Sequence, residues 1–398
     1  MRKPATPAFG VCCSRHSIVS SIQQTLRFGV LEFELAQGPR VPHEAVSYLT
    51  SIREILTMKS FRLIAALTGI ALSFAAPWAM AQTTWQVAKT LHLGGEGGWD
   101  YLTVDSDTHR LFVPRTTHTM VLDADSGKVL GDIPGQKTAH GVAIVPSAGR
   151  GFITDGGGNG AIVIFDLKTY AVLGTLATEP DSDGIIYDAA LNKVLAVSGD
   201  KGVLMTFNPD IDPVNGKIDP PIELGGAPEF LASDGTGAVF INLEDKDQVA
   251  VVDLKTRSVI SRWPVAPGGH PVGMSLDTKT HRLFVGCRNP QKLVVLSADN
   301  GKVLDALPIG AGVDATKVDG GQAFASCRDG SLTMVSEKSG KYEVAQVVKT
   351  PAGARTMGVD SATHRIYLPT AEFEPQPANS TGRPKAKPGT FMIVEVAR

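Results

Sequence analysis

The sequence TKTHRLFVGCRNPQKLVVLSADNGKVL, residues 278–304, contains the repeating unit of this chain. Short runs rich in Val, Leu and Phe, at 283–286 and 292–296, alternate with polar turns, and the pair Asn300-Gly301 is typical of a hairpin. Related sequences stand at 107–130, DTHRLFVPRTTHTMVLDADSGKVL, and at 362–370, ATHRIYLPT. A supersecondary unit that recurs along a chain sets the architecture of the domain.

The repeats have a regular spacing. A turn residue follows the first predicted strand of each unit, and these residues are 41 to 46 positions apart: Asp105, Pro146, Asp188, Asp234, Asp277, Asp319 and Asp360. This period, with four short strands per unit, predicts an all-β, seven-bladed β-propeller of four-stranded antiparallel blades. The last unit lacks its outer strand, while the strand-like sequence WQVAKTLHL, residues 85–93, precedes the first unit. We therefore expect the N- and C-terminal strands to pair in one blade and close the ring.

Residues 58–81 have the features of a secretory signal peptide. Lys59 and Arg62 precede an apolar run at 63–76, and Ala79-Met80-Ala81 is typical of a cleavage site. The run is too short for a transmembrane anchor. We therefore predict that residues 1–57 are an over-extended start or a leader, and that residues 82–398 form a single propeller domain in the periplasm with no membrane span. A true cytoplasmic extension is the alternative for residues 1–57.

Charge and cysteine content exclude some classes of protein. The formal net charge of the chain is −2, and no long basic run marks a groove for duplex nucleic acid. Beyond the predicted leader only Cys287 and Cys327 remain, which is far from a disulfide framework. Both follow the second strand of adjacent units. Packed sheets are about 10 Å apart, too far for a disulfide, so we predict two free thiols.

The strand pattern is similar to that of a known family. The second strand of successive units has the sequence FVPR, FITD, FINL, FVGC, FASC or YLPT, starting at residues 112, 152, 240, 284, 324 and 367. With the signal peptide, this pattern makes residues 83–398 resemble the YncE-like, YVTN-type seven-bladed β-propellers of bacteria, although the literal Tyr-Val-Thr-Asn string is absent. The resemblance implies a WD40-like periplasmic propeller but no single chemistry, because the fold hosts binding proteins, lactonases and cofactor-bearing subunits.

The axial mouth of the propeller is the predicted site. The first strand of each blade lines the channel, and loops on a rigid frame commonly carry function. Positions at or near five residues before each turn residue lie at this mouth: Asp100, His140, Asp183, Glu229, His270, Asp314 and Arg355. The loops between second and third strands add Arg115, His118, Arg288 and Arg328. Convergent polar groups around a concave pocket predict a binding site; the alternative is an unspecific, water-filled mouth.

The histidines fall into two groups. His109, His281 and His364 belong to the repeated Thr-His-Arg turn on the opposite face, where repetition indicates a structural role. His140 and His270, with carboxylates such as Glu229 or Asp314, are candidates to hold a divalent metal, although no tight ligand spacing supports this. The cofactor, if any, stays open.

Three functions are compatible with these candidates. The first is a non-enzymatic binding protein, monomeric, whose partner at the mouth is a small molecule or a periplasmic protein. The second is a lactonase-type or metal-assisted hydrolase at the same mouth, with its catalytic residues unassigned. The third is single-stranded DNA binding through the arginines, which the negative net charge disfavours. The Pro-rich segment 371–389 is either a lid over the mouth or a solvated loop.

Overall fold

A computed structural model describes residues 84–377 and 384–398 of the protein. These residues belong to one compact unit, Gln82–Arg398, and form 27 β-strands and two short 3₁₀ turns, Pro146–Ala148 and Glu244–Lys246. Within the described part of the chain, no helix has the length and apolar character needed to cross a membrane. The predicted leader (1–57) and signal peptide (58–81) lie outside the described residues.

The strands follow the β-branched and aromatic runs of the sequence, and the turns follow its Gly, Asp and Asn residues, because these residue types suit pleated sheets and hairpins. Within each sheet, strands that follow one another along the chain pair antiparallel, and the first strand of the chain pairs with the last. In chain order the strands are β1 (Gln86–His92), β2 (Thr103–Asp105), β3 (Arg110–Pro114), β4 (Thr116–Asp123), β5 (Val129–Val145), β6 (Arg150–Asp155), β7 (Ala161–Asp166), β8 (Val172–Ala177), β9 (Ser182–Asp188), β10 (Lys193–Ser198), β11 (Val203–Phe207), β12 (Ile222–Glu223), β13 (Pro228–Ser233), β14 (Ala238–Leu243), β15 (Gln248–Asp253), β16 (Ser258–Pro264), β17 (Pro271–Asp277), β18 (Arg282–Arg288), β19 (Gln291–Ser297), β20 (Val303–Pro308), β21 (Val313–Asp319), β22 (Gln322–Cys327), β23 (Ser331–Lys338), β24 (Lys341–Lys349), β25 (Gly358–Asp360), β26 (Arg365–Thr370) and β27 (Met392–Ala397).

The prediction of seven separate four-stranded blades is wrong. The described residues form five four-stranded blades, and strands β2 to β8 form one continuous seven-stranded sheet. The cause is β5, which is 17 residues long. Its first half pairs with β4, as in His118↔Pro134, and its second half pairs with β6, as in Ala139↔Asp155. The segment that connects the first two predicted repeats is therefore itself extended and joins the neighbouring sheets.

The terminal strands pair as the strand count predicted. β1 lies antiparallel to β27, with Val87 opposite Val396 and His92 opposite Met392. Trp85, just before β1, packs edge-on against Phe324 at 5.3 Å between ring centroids, and its indole N–H donates to Gln322 Oε1 at 3.1 Å. Pairing of the two chain ends satisfies the backbone groups that a free edge of β27 would expose.

The strands nearest the axis contact one another in the order β2, β5, β9, β13, β17, β21 and β25, and β25 returns to β2. Tyr101 lies between non-neighbouring sheets: its ring is 4.6 Å from that of Phe230 on β13, and its hydroxyl donates to the backbone carbonyl of Asp314 on β21 at 2.6 Å. Lys317 Nζ also contacts the Phe230 ring, at 5.4 Å from its centroid. These side chains fill the centre of the ring beneath the mouth.

The repeated Thr-His-Arg turns have a structural role. His109, His281 and His364 adopt left-handed backbone conformations with φ between 52° and 59°, as turn residues do. Each imidazole Nδ1 lies within 3.1 Å of a carboxylate oxygen, of Asp360, Asp299 and Asp319 respectively.

Cys287 and Cys327, the cysteines of the described residues, are free and buried, as predicted. Burial raises the pKa of the Cys287 and Cys327 thiols to about 12, because the thiolate form loses its hydration there. The thiolate is the reactive form of cysteine, so neither residue is suited to nucleophilic chemistry.

Candidate functional site

The mouth of the propeller contains a cluster of charged side chains at or near the start of the strands nearest the axis. His140, on β5, is held between two carboxylates: its Nδ1 lies 2.7 Å from Asp100 Oδ2 and 3.6 Å from Asp183 Oδ1. Thr154 fixes the second carboxylate's backbone by donating to the carbonyl of Asp183 at 2.6 Å. The three side chains come from positions distant in sequence and are each more than four-fifths buried.

The opposite part of this cluster is organised by Asp314. Its carboxylate is only 2% exposed and forms ion pairs with two guanidinium groups, those of Arg288 and Arg355. Arg288 also donates through Nε to the carbonyl of Val313 at 3.0 Å. Arg355 lies 3.8 Å from Asp100 Oδ1 and therefore links the two halves of the network.

Glu229, at the start of β13, completes what we call the mouth cluster, which consists of Asp100, His140, Asp183, Glu229, Arg288, Asp314 and Arg355. Within the part of the chain that the structure describes, the Glu229 carboxyl is partly buried and has no hydrogen bond or ion pair. It lies in the field of Asp183, Glu244 and Arg288.

The electrostatics of the mouth cluster follow from this crowding. Burial, with the charge of Asp183, raises the pKa of Glu229 to about 8. Burial also raises the pKa of Asp183 to about 7, against the opposing effect of His140. For His140, burial alone would lower the pKa, but the hydrogen bond that its Nδ1–H donates to Asp100 and the charges of both aspartates raise it to about 9. At neutral pH this raised pKa favours the imidazolium form of His140, with both ring nitrogens protonated.

The metal set predicted from sequence is not the one that the fold brings together. Among the described residues, Asp100, His140 and Asp183 have ligand atoms within 4.8 Å of one another, close enough for one metal ion. His270 lies elsewhere and pairs with Glu244, with 3.2 Å between Nε2 and Oε2. Carboxylate and imidazole donors suit a divalent cation, but His140 would first have to release the proton that its raised pKa retains.

Arg115 lies apart from the mouth cluster. Its guanidinium is buried and donates to backbone carbonyls of the loop 94–98, at 2.8 Å to Glu96 and 3.0 Å to Gly98. Its carbon Cζ stacks 3.6 Å from the centroid of the Phe391 ring. Burial lowers its pKa to about 10. The structure thus places this side chain as an internal support of a glycine-rich loop.

The other predicted residues divide similarly. His118 on β4 lies 3.7 Å from Asp132 and 3.3 Å from Thr117 Oγ1, and it contacts no member of the mouth cluster. Arg328 lines a separate cavity beside the mouth, together with Arg355. Sequence reasoning did not find Tyr101 or Glu244. The position of Tyr101, directly after Asp100, was a usable signal, whereas the contact of Glu244 with His270 depends on the 3₁₀ turn after β14.

Comparisons with known proteins support the fold. No family model matches the sequence, and no curated protein sequence matches it. Among solved structures, the chain is similar to the WD40 repeats of RRP9, with a TM-score of 0.65 and 11% identity over 79% of this chain and 99% of that one. It is also similar to the WD40 β-propeller domain of Doa1, with a TM-score of 0.61 and 14% identity over 79% and 98%, and to hydrazine synthase of Kuenenia stuttgartiensis, with a TM-score of 0.60 and 12% identity over 70% and 94%. Identities this low show the fold alone: the chain is a β-propeller.

Proposed function

We propose that this protein is a binding protein whose axial mouth takes a small cationic ligand. The observation that carries the proposal is Glu229, a partly buried carboxyl with no partner among the described residues. A buried ionisable group without a partner is costly, and perturbed carboxyls concentrate at functional sites. A ligand cation beside Glu229 and Asp183 would supply the missing partner.

The charge balance of the mouth cluster supports a cation. With every group ionised, its four carboxylates face three cations: His140, Arg288 and Arg355. In that state the cluster has one uncompensated negative charge, which a bound cation would neutralise in a site that solvent screens poorly. Because the pKa of Glu229 is raised to about 8, binding of the cation at neutral pH would be coupled to release of the Glu229 proton. Asp183 also supports a bound cation, because its Oδ1 atom is buried and accepts no hydrogen bond among the described residues.

A metal-assisted hydrolase is the second candidate. It is favoured by the ligand atoms of Asp100, His140 and Asp183, which could hold one ion. A metal bound there would supply a Lewis acid and an activated water. The contribution of the chain would be the two carboxylates and the imidazole as ligands, with Glu229 nearby as a proton acceptor.

Single-stranded DNA is not proposed, because the arginines considered for it have internal partners. Arg288 and Arg355 pair with Asp314, and Arg115 donates to backbone carbonyls. The YncE-like, YVTN-type subfamily and the periplasmic setting remain proposals. Their support is the strand pattern and the signal-like sequence at 58–81.

We expect a cation to raise the thermal unfolding temperature of the protein in a saturable way. Two arms identify its source: divalent chlorides alone (MnCl₂, CaCl₂) and organic ammonium salts (methylammonium, choline), both at constant ionic strength. A ligand at 100-fold its Kd stabilises by about 2.7 kcal/mol, which corresponds to a rise of about 4 °C for a domain of this size. The Glu229→Gln variant should lose this rise, while Glu343→Gln, which changes an exposed carboxylate far from the mouth, should retain it. Absence of a saturable rise in both arms, or an unchanged rise in Glu229→Gln, would overturn the proposal.

The pH dependence of stability offers a separate prediction that needs no ligand. The pKa of Glu229 is raised from 4.5 to about 8, so its contribution to stability is complete below pH 4.5 and is lost as the pH rises through 8. Glu229→Gln removes this loss. We therefore expect the variant to gain stability relative to the wild type between pH 6 and pH 9, as measured by urea unfolding. A constant difference across that range would show that Glu229 ionises normally in the folded protein.

A further inference from the structure

A cavity of about 600 Å³ lies beside the mouth cluster. One wall is the glycine-rich loop 95–99, which Arg115 supports from within. The opposite wall is formed by the described arms of the Pro-rich segment, 371–376 and 384–388. Arg355 lines the cavity and also belongs to the mouth cluster. It is the one residue that the cavity lining and the mouth cluster have in common among the described residues.

The two arms of the Pro-rich segment form a paired wall. Phe373 bridges to Ala386, Glu374 N–H donates to the carbonyl of Lys385 at 2.9 Å, and Lys387 N–H donates to that of Glu372 at 2.8 Å. Ion pairs reinforce the pairing, at 3.0 Å between Lys387 and Glu372 and at 3.6 Å between Lys385 and Glu374. The wall is thus a built structure on which the Phe373 side chain has a defined position.

The inner surface of the cavity is aromatic. Trp99 contacts two rings, with centroids 5.7 Å from Phe391 and 6.1 Å from Phe373. Gly353 leaves space for the Phe373 ring, because a Cβ atom at residue 353 would lie 2.5 Å from that ring. Its φ of 84° also favours glycine. A planar ring stacks well on aromatic side chains, so these walls suit a planar aromatic ligand.

The polar groups of the cavity favour a ligand that carries an acidic group. Arg328 and Arg355 line it, and guanidinium groups bind carboxylates in a planar, two-pronged geometry. Because Arg355 already pairs with Asp314 and Asp100, the acidic group of a ligand is assigned to the side that Arg328 lines. Trp99 Nε1 is a buried donor with no acceptor among the residues described. Two carboxylates also line the cavity, but Glu374 pairs with Lys385, and Glu96 is an exposed residue of the loop.

We propose that this cavity binds a small planar aromatic molecule that carries one acidic group. The ring lies against Trp99 and Phe373, and the acid faces the side of the cavity that Arg328 lines. A pocket of this volume with aromatic walls and a few convergent polar groups is typical of small-molecule sites. The proposal is independent of the cation proposed for the mouth cluster, because its carrying residues are Trp99, Phe373 and Arg328.

The test is titration calorimetry of the full chain with indole-3-acetate and with its uncharged amide, indole-3-acetamide. We expect saturable one-to-one binding of the acid and at least tenfold weaker binding of the amide. Phe373→Ala should weaken binding of the acid at least tenfold. Arg328→Gln should weaken the acid at least fivefold and leave the amide unchanged, since only the acid uses the guanidinium. The matched control is Tyr342→Ala, which removes a half-buried aromatic ring from β24 on a different blade and should leave both affinities unchanged.

Three results would overturn the proposal. The first is no saturable heat with either probe. The second is equal affinity for acid and amide, which removes the acidic preference. The third is equal weakening by Phe373→Ala and Tyr342→Ala, which would trace the loss to general destabilisation. Urea unfolding of each variant separates these cases, because Phe373 lies on a surface wall and its removal should leave the midpoint close to that of the wild type.

Discussion

Replacing Asp314 with Asn should lower the free energy of unfolding by about 3–5 kcal/mol, which is the usual cost of removing one partner from a buried ion pair. The carboxylate is 2% exposed and forms ion pairs with both Arg288 and Arg355. An amide of the same shape carries no charge and would leave two guanidinium groups without their anion. Chemical unfolding at pH 7, followed by circular dichroism, measures the loss.

The matched control is Asp299→Asn. Asp299 is also paired with a basic side chain, His281, but the two are 60% and 64% exposed. Exposed pairs contribute at most about 1 kcal/mol, so this variant should unfold almost as the wild type does. If Asp314→Asn loses no more than the control, the arginines must find other partners, and the carboxylate would be free to serve a ligand. The expected result instead assigns Asp314 to the framework of the mouth.

Local strand positions were well predicted because they depend on local signals. In the fifth repeat, the runs expected at 283–286 and 292–296 are strands at Arg282–Arg288 and Gln291–Ser297. Alternating apolar residues and the Asn300-Gly301 turn act within a few positions of chain, so the sequence pattern indicates them directly. The observed strands are longer at their ends, since backbone pairing continues into polar residues.

The number of separate blades was not predictable in the same way. Residues 131–140, GDIPGQKTAH, contain Gly and Pro and are typical of a turn. In the structure they lie inside β5, because the edges of β4 and β6 each pair with part of it. Thr116 even pairs with Ala139, in the half of β5 that faces β6. Such pairing is set by tertiary contacts, which override local turn preference.

The same distinction applies to the site. The constant offset from each turn residue pointed to side chains near the start of the axial strands, and Asp100, Asp183 and Glu229 lie close to the first residues of β2, β9 and β13. It could not indicate their partners. Whether His140 meets Asp183 or His270 depends on the distances between sheets, and His270 meets Glu244 instead. The enclosure of Arg115 depends on the path of a loop 17 to 21 residues away in the sequence.

Replacing β1 with a glycine-serine sequence of the same length should abolish cooperative unfolding of the propeller and produce soluble oligomers. β27 would lose its only partner on that side, and its backbone N–H and C=O groups would form an open edge that pairs with other chains. Leu91, which is 6% exposed, would also leave the core. Size-exclusion chromatography with light scattering measures the oligomers, and urea unfolding measures cooperativity.

A control must show that the effect comes from lost strand pairing and not from the glycine-serine sequence itself. The same kind of replacement at residues 212–217, a largely exposed loop that belongs to no strand, serves this purpose. That variant should remain monomeric and unfold cooperatively, because loops tolerate such changes at a small entropic cost. If the β1 variant behaved in the same way, the ring would be held closed by the contacts between axial strands alone. The expected difference follows from geometry: axial contacts bury side chains, but only β1 satisfies the outer edge of β27.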